Sequence, residues 1–335
     1  MSLAEGDGME IDMEYRIKTI PEDFIVTELP ILDIRCCGDF CYYILSKRGI
    51  STFEAIEILC DTLKKNRNEF DYAGLKDEEG ITTQYISCKG EVLPYIEKHF
   101  ENGNFLLFRF CGFAYDKMSI GHLYGNGFNI TIRNLSENIL KNIDNRKKDI
   151  LYVNYYDTQR FGMPGKKHVT HLLGRAIEED NKIMIDRYCG EGGQNISYDQ
   201  IMSDDYIKNR IFFLNSWQSF LWNQQIKDRI ISLNSPSLYY DSVDDITFAL
   251  VNQESLVENY RELSSCNNIK QYISVDGVVK TVTNTREVLK KTTIYIENVD
   301  DDEIYQGKKK IKLRFLLDKG VYATMVVKHF LYNMK

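Results

Sequence analysis

Between Gly127 and Arg133 apolar and polar positions alternate. Phe128, Ile130 and Ile132 fall on one side, with Asn129 and Thr131 between them. That period of two belongs to a strand with one buried face. The stretches 40–45, 81–87, 105–110 and 310–317 read the same way, and on periodicity alone their aromatics belong to a core. From 14 to 28 the alternation predicts two short strands broken at Pro21, which has no N–H to give to a ladder. Elsewhere the period is helical. Ile56, Leu59, Cys60 and Leu63 make one apolar face behind a Ser51-x-x-Glu54 capping box. Helices are also predicted around 91–102, over 170–179, over 212–231 with Phe213, Trp217, Phe220 and Leu221 recurring, and over 323–332. Lys47-Arg48-Gly49 reads as a turn and Asp300-Asp301-Asp302-Glu303 as a surface connection. Residues 1–13 lack periodicity and are expected to be a disordered leader. Interspersed strands and helices with little continuous apolar sequence predict an α+β fold, a mixed or antiparallel sheet with helices packed on it. From about 151 to 293 the pattern turns helix-rich.

Composition narrows the function. The 335 residues suffice for two domains, and 27% charged with 43% hydrophobic residues describe an ordinary soluble protein. The net charge of −7 argues against a nucleic-acid partner, because phosphate binding leans on Lys and Arg. A local basic groove can still coexist with an acidic surface. Candidate patches are Lys64-Lys65-Asn66-Arg67, Arg146-Lys147-Lys148, Lys166-Lys167-His168 and Lys308-Lys309-Lys310-Ile311-Lys312. The 22 Tyr and 17 Phe supply rings for packing and for stacking on bases.

None of the eight cysteines forms a Cys-x-x-Cys pair, and the cluster Cys36, Cys37, Cys41 has no second half. Reduced cysteines inside a cell are expected. His168-x-x-His171 has no Cys or acid placed to complete a metal set, so no metal is expected. Neither a signal peptide nor an apolar run of ~20 residues is visible. A cytosolic or nuclear protein without membrane contact is the expectation. A glycine-rich cofactor loop after a strand is also missing, which removes support for an enzyme such as a methyltransferase.

The stretch richest in chemistry runs from Phe70 to Gln84. Tyr72-Ala73-Gly74-Leu75 leads into Lys76-Asp77, then an acidic turn closed by Gly80, then a β-prone run from Ile81. It puts one carboxylate, Asp77, on a tight connection beside a cation. A neighbouring positive charge favours the ionised carboxylate, which can serve as nucleophile or base. Locally the same pattern suits a solvated surface turn.

Gly74-x-Lys76-Asp77-x-x-Gly80-x-Thr82-x-Gln84 resembles the signature of the TruD family of pseudouridine synthases. Four further segments match in order. They are Lys18-Thr19-Ile20-Pro21-Glu22-Asp23-Phe24-Ile25-Val26, Gly125-Asn126-Gly127-Phe128-Asn129-Ile130, Asn154-Tyr155-Tyr156-Asp157-Thr158-Gln159-Arg160-Phe161-Gly162, and Arg314-Phe315-Leu316-Leu317-Asp318-Lys319-Gly320-Val321-Tyr322-Ala323-Thr324. Three departures stand out. Glu78 and Glu79 occupy usually basic or polar positions, Gly80 replaces Ala, and Tyr156-Asp157 replaces Phe-Gly.

The resemblance implies isomerisation of a uridine in tRNA, at position 13, with no cofactor, no metal and no obligate protein partner. Asp77 would be the catalytic carboxylate and Lys18 or Lys76 its counter-charge. Phe24, Phe128 and Tyr322 would hold a flipped-out base, and Asn126 would read its edge or brace the loop. Thr82, Gln84, Gln159 and Arg160 would support these groups or touch RNA. It also implies a pseudouridine synthase core of residues 14–150 and 294–335, interrupted by a TruD-type insertion at 151–293. The alternative is a tRNA-binding chaperone of the same fold without turnover, a reading kept alive by Glu78 and Glu79.

Overall fold

A computed structural model describes residues 14–140, 143, 146–162, 167–192, 196–264 and 267–334. The expected leader, Lys166 and Cys266 lie outside the described residues. The ten strands of the main sheet are β1 (Phe24–Pro30), β2 (Phe40–Arg48), β3 (Phe70–Tyr72), β4 (Ile81–Lys89), β5 (Ile96–His99), β6 (Phe105–Ala114), β7 (Leu123–Leu135), β8 (Lys147–Val153), β13 (Leu289–Asp301) and β14 (Lys309–Asp318). Their order is β5-β6-β2-β4-β1-β7-β14-β13-β8, with β3 also pairing β4. The β1–β4 pair is parallel and the other pairings described are antiparallel. The protein is thus a mixed-sheet α+β fold.

Register decides what lies on each face, because directly paired residues point the same way. Lys47 opposes Thr82, Thr82 opposes Val26, Val26 opposes Phe128 and Phe128 opposes Phe315. One step along, Leu45 opposes Gln84, and Glu28, Asn126 and Leu317 continue the row. Two helices cover this face. The first, α1 (Thr52–Leu63), packs Ala55, Ile56 and Leu59 on Tyr43, Leu45, Ile86 and Phe108. The last, α9 (Ala323–Tyr332), packs Val326, Val327 and Phe330 on Phe128, Ile130, Leu313 and Phe315. Between the two apolar cores runs a strip of buried polar side chains: Lys47, Thr82, Gln84 and Glu28.

The chain leaves the sheet after Val153 and rejoins it at Leu289. A short helix, α2 (Glu137–Leu140), precedes β8, and between Val153 and Leu289 stand α3 (Thr170–Glu178), α4 (Lys182–Glu191), α5 (Tyr198–Met202), α6 (Ile207–Ser232), α7 (Gln253–Glu258) and α8 (Tyr260–Leu263). Two hairpins accompany them, β9 (Tyr239–Val243) with β10 (Ile246–Leu250), and β11 (Asn267–Val275) with β12 (Val278–Arg286). The 26-residue α6 is the spine of this part. A Cβ on Gly174 would stand 1.9 Å from the Phe213 carbonyl oxygen, so α3 crosses α6 at backbone contact. Trp222, Ile226 and Phe248 share a core with Val153, Leu289 and Met325 of α9, which welds this region onto the sheet's covered face.

Several sequence expectations are corrected. The helix expected around 91–102 is a strand: Ile96–His99 pairs with β6 through a turn at Gly103, whose φ of +80° suits glycine. Ladder hydrogen bonds outweigh local helical preference there. Of the two strands expected over 14–28, only β1 forms. Before it Arg16 makes one isolated bridge to Arg133, and Pro21–Asp23 is a 3-10 turn. The acidic run is not a plain surface connection. Asp300 and Asp301 extend β13, and buried Asp302 takes hydrogen bonds from the Arg133 guanidinium and the Asn134, Ile304 and Tyr305 amides. A buried arginine needs carboxylates around it, and Asp23 at 2.9 Å and Glu303 at 3.1 Å supply the others.

Candidate active site

Residues 73–80, between β3 and β4, lie over the polar strip and are fastened to it by backbone capture. The Lys47 ammonium, fully buried, donates to the carbonyl oxygens of Ile50 (2.6 Å), Asp77 (2.7 Å) and Lys76 (3.4 Å). Thr52, the first residue of α1, accepts the Lys76 N–H at 3.0 Å and donates to Gln84 Oε1 at 2.9 Å. Gln84 in turn donates to the Gly74 carbonyl at 3.2 Å. The Lys76 side chain turns away from Asp77 and pairs with Glu28 at 2.5 Å, both groups buried. Glu28 also accepts the Tyr85 N–H, extending the β1–β4 pairing past the last backbone bond. Where the loop re-enters β4, a Cβ on Gly80 would stand 2.3 Å from the Phe24 carbonyl oxygen. Glycine therefore lets the loop close tightly on β1.

So held, Asp77 presents its carboxylate at an opening, with the side chain one-fifth exposed. Lys18 Nζ lies 3.0 Å from Asp77 Oδ1, and Gln159 Nε2 donates to the same oxygen at 2.8 Å. Lys18 sits at φ +58°, a left-handed turn ahead of the 3-10 segment, and its ammonium lies 4.4 Å from the centroid of the Phe24 ring. Its second acidic neighbour is Glu79 at 3.6 Å. Glu78 and Glu79 are both exposed. Asp77, Lys18 and Gln159 thus converge from three separated stretches of chain.

The remaining predicted residues fall into two groups. Phe24, Phe128, Thr82 and Gln84 are buried beneath or beside the loop, and Phe24 meets Phe128 edge-on at 6.1 Å. Asn126 stands next in line on β7, its side-chain oxygen buried with no hydrogen-bond partner among the described residues. Tyr322 stands at the start of α9 and Arg160 in the 3-10 turn Thr158–Arg160. Tyr322 meets Tyr156 edge-on at 6.1 Å; burial pushes its phenol up to about 12. Arg160 bonds Ser219 and covers the Phe212 ring. Among the described residues no hydrogen bond joins Asn126, Tyr322 or Arg160 to Asp77.

Sequence reasoning missed most of what fastens residues 73–80 and 154–161. Lys47 was readable: Cys41, Tyr43 and Leu45 alternate on the buried face of β2 and Lys47 is next in phase, so its stem must run under the apolar core. The second stretch is held by Asn223, whose amide both accepts the Tyr156 N–H and donates to the Tyr156 carbonyl. Arg286 stacks 3.9 Å over Tyr156 and donates to Asn154 and Gly320. Asp157 is explained by its contacts. It accepts the Thr324 hydroxyl at 2.8 Å and lies 3.7 Å from Lys328, which also reaches Asp241 at 2.5 Å. No local signal marks these distant pairings. His168 and His171 each face one aspartate, Asp244 and Asp245, instead of sharing a ligand. No group of three metal-ligating side chains occurs among the described residues, and none of their helices is long and apolar enough to cross a membrane. Three of the lysines in the 308–312 patch are committed to acids, Lys309 to Asp301, Lys310 to Glu303 and Lys312 to Glu297.

Comparison with known proteins adds four findings. The sequence profile of the family described as tRNA pseudouridine synthase D (TruD) matches residues 9–210. A protein of Methanococcus maripaludis named probable tRNA pseudouridine synthase D 1 is 27% identical over 389 residues, covering 94% of this chain and 98% of that one. The tRNA pseudouridine synthase D of Syntrophotalea carbinolica is 35% identical over 175 residues, 49% of this chain and 41% of that protein. Among solved structures, a putative tRNA pseudouridine synthase D from Methanosarcina mazei superimposes with a TM-score of 0.60 at 19% identity, over 99% of this chain and 96% of that one. That last likeness concerns the fold.

Proposed function

The chain belongs to the TruD family of tRNA pseudouridine synthases, and on that premise we propose that Asp77 is the catalytic carboxylate with which it isomerises a uridine of tRNA, at position 13. The observation that carries this reading is the carboxylate at an opening, held between Lys18 and Gln159. In the reaction the N1–C1′ bond breaks, the base turns and a C5–C1′ bond forms, with the C5 proton lost and one gained at N1. No electrons are exchanged with an outside partner. Asp77 serves either by attacking C1′ or by removing the C2′ proton, and Lys18 and Gln159 hold the oxygen concerned in line. Asn126, whose side-chain oxygen has no partner among the described residues, suits a donor on the uracil edge. Tyr322 offers a ring, on which stacking contributes roughly 1–3 kcal/mol per base. Phe24 and Phe128 lie deep enough to shape the floor instead of sandwiching the base. Extruding the target from its stack costs a few kcal/mol, which two loops closing on the nucleotide can offset. Residues 14–150 with 294–335 act as the catalytic domain in this reading, and 151–293 as the insertion that supplies Gln159 and Arg160.

Incubation with unmodified tRNA, followed by mapping of carbodiimide adduct stops, tests it. Stops with the wild type and none with Asp77→Asn, at similar tRNA affinity, are expected. Binding without stops from either protein would leave a chaperone, and equal stops would remove Asp77 from its role.

A further inference from the structure

Lys47 is a buried cation without a carboxylate. Among the described residues no acid lies within 4 Å of its ammonium, and its contacts are three main-chain carbonyls. Two of those carbonyls belong to Lys76 and Asp77, the third to Ile50 just before α1. An ammonium has three donors and no acceptor, so the fully protonated group matches this cage. Loss of the proton turns one donor into a lone pair facing a carbonyl oxygen, which repels. Burying a charge this way is costly. A neutral side chain of the same length would fill the space, so retention of the cation calls for a reason beyond packing.

We propose that Lys47 is a positioning residue for the isomerisation: by gripping the Asp77 carbonyl from beneath, its ammonium fixes the direction in which the Asp77 carboxylate points. This deepens, and rests on, the reading of Asp77 as the catalytic group. The groups facing Lys47 are Lys76, Asp77 and Glu78 on the loop and Glu54 on α1. Glu28 on β1 acts through Lys76, and Lys18 through Asp77. Burial outweighs the acids among them and lowers the ammonium from 10.5 to about 8. The cage therefore opens at mildly alkaline pH, and turnover falls with it. Stability moves the other way. The folded chain gives up this proton before the unfolded one does, so between about 8 and 10.5 the unfolded state binds more protons. That makes the Lys47 contribution to stability rise with pH.

The test uses the full chain and unmodified tRNA carrying tritium at uridine C5, whose release reports turnover, from pH ~6 to ~10 to bracket the titration. For the wild type, single-turnover rate is expected to fall tenfold per pH unit above about 8, without loss of thermal stability just above that midpoint. Lys47→Met is expected to be ~100-fold slower below the midpoint, the cost of a misaimed group, with an unchanged tRNA dissociation constant and no alkaline limb of its own. An alkaline limb that persists in Lys47→Met, or wild-type turnover in that variant, overturns the proposal. Should Lys47→Met fail to fold, the wild type decides alone: a rate loss that tracks loss of thermal stability is unfolding, and overturns it too. No turnover from the wild type at any pH removes the reaction and this role together, whereas turnover indifferent to Lys47 removes the role alone.

Discussion

Two loops reach Asp77, residues 73–80 from the sheet and residues 154–161 from the region between β8 and β13, and they are fastened by different chemistry. In both, buried side chains capture main-chain groups so that one polar side chain can stand at the opening. The first loop is gripped by a lysine ammonium and a buried lysine–glutamate pair. The second is gripped at Tyr156 by the neutral amide of Asn223, and the Arg160 carbonyl accepts hydroxyls from Thr170 and Ser216. An amide grip does not itself titrate, whereas an ammonium grip does. Charged groups also reach the second loop, Arg286 at the Asn154 carbonyl and Lys328 beside Asp157, but the grip that titrates at about 8 is the lysine under the carboxylate's own loop.

Among variants that keep Asp77, Gly80→Ala should do the most damage, because its methyl group would meet the Phe24 carbonyl oxygen. We expect about 1–3 kcal/mol of lost stability from overpacking and ~100-fold lower turnover through a displaced Asp77, read by denaturant unfolding and tritium release. Asn223→Leu, the counterpart on the second loop, strands the Tyr156 N–H and carbonyl. A loss of about 1–3 kcal/mol is expected, with a turnover deficit constant across the pH range in which Lys47 titrates; a deficit that varied there would break the contrast between the loops.

The second loop meets its own limit in acid. His329 on α9 is wholly buried and accepts the N–H of Val153, immediately before that loop, and burial lowers its imidazole to about 3. His171, also buried, shifts the same way. A base neutral in the fold but protonated when unfolded leaves its contribution intact above about 6.5 and erodes it as pH falls toward about 3. The loss is at most about 1.4 kcal/mol per pH unit per group. His329→Gln, which keeps an acceptor for Val153, should flatten that part of the stability profile. Gln159→Ala removes one hydrogen bond to a charged oxygen, for which we expect roughly tenfold slower turnover and an unchanged melting temperature. Smallest, Glu78→Lys with Glu79→Lys should tighten tRNA binding several-fold at low salt and steepen its salt dependence. An unchanged dissociation constant would place those side chains off the RNA.

Much of the first loop was legible, because its parts sit close together in sequence and Asp77 falls in a recognisable pattern. The closing helix over 323–332 was readable from its apolar period. In the second loop the resemblance singled out Gln159 and Arg160, but what holds them was not legible. Gln159 meets Asp77 across 82 residues and Asn223 meets Tyr156 across 67, and such pairings leave no trace in periodicity. The strand at Ile96–His99 was misread for a related reason, since a sheet edge supplies its hydrogen bonds from outside the segment. Lys47 was passed over as part of a turn, although its phase with Tyr43 and Leu45 placed it on the apolar face.

The position of β14 beside β7 has a consequence for synthesis. As the chain emerges from the ribosome, β7 can dock on β1 early, yet its other neighbour is made only after the long excursion from Val153 to Leu289. Until then a thirteen-residue strand offers an unpaired edge, the kind that recruits strands from other chains. Nascent chains halted before Lys309 are therefore the ones that should clump, and chaperones should linger on them longest.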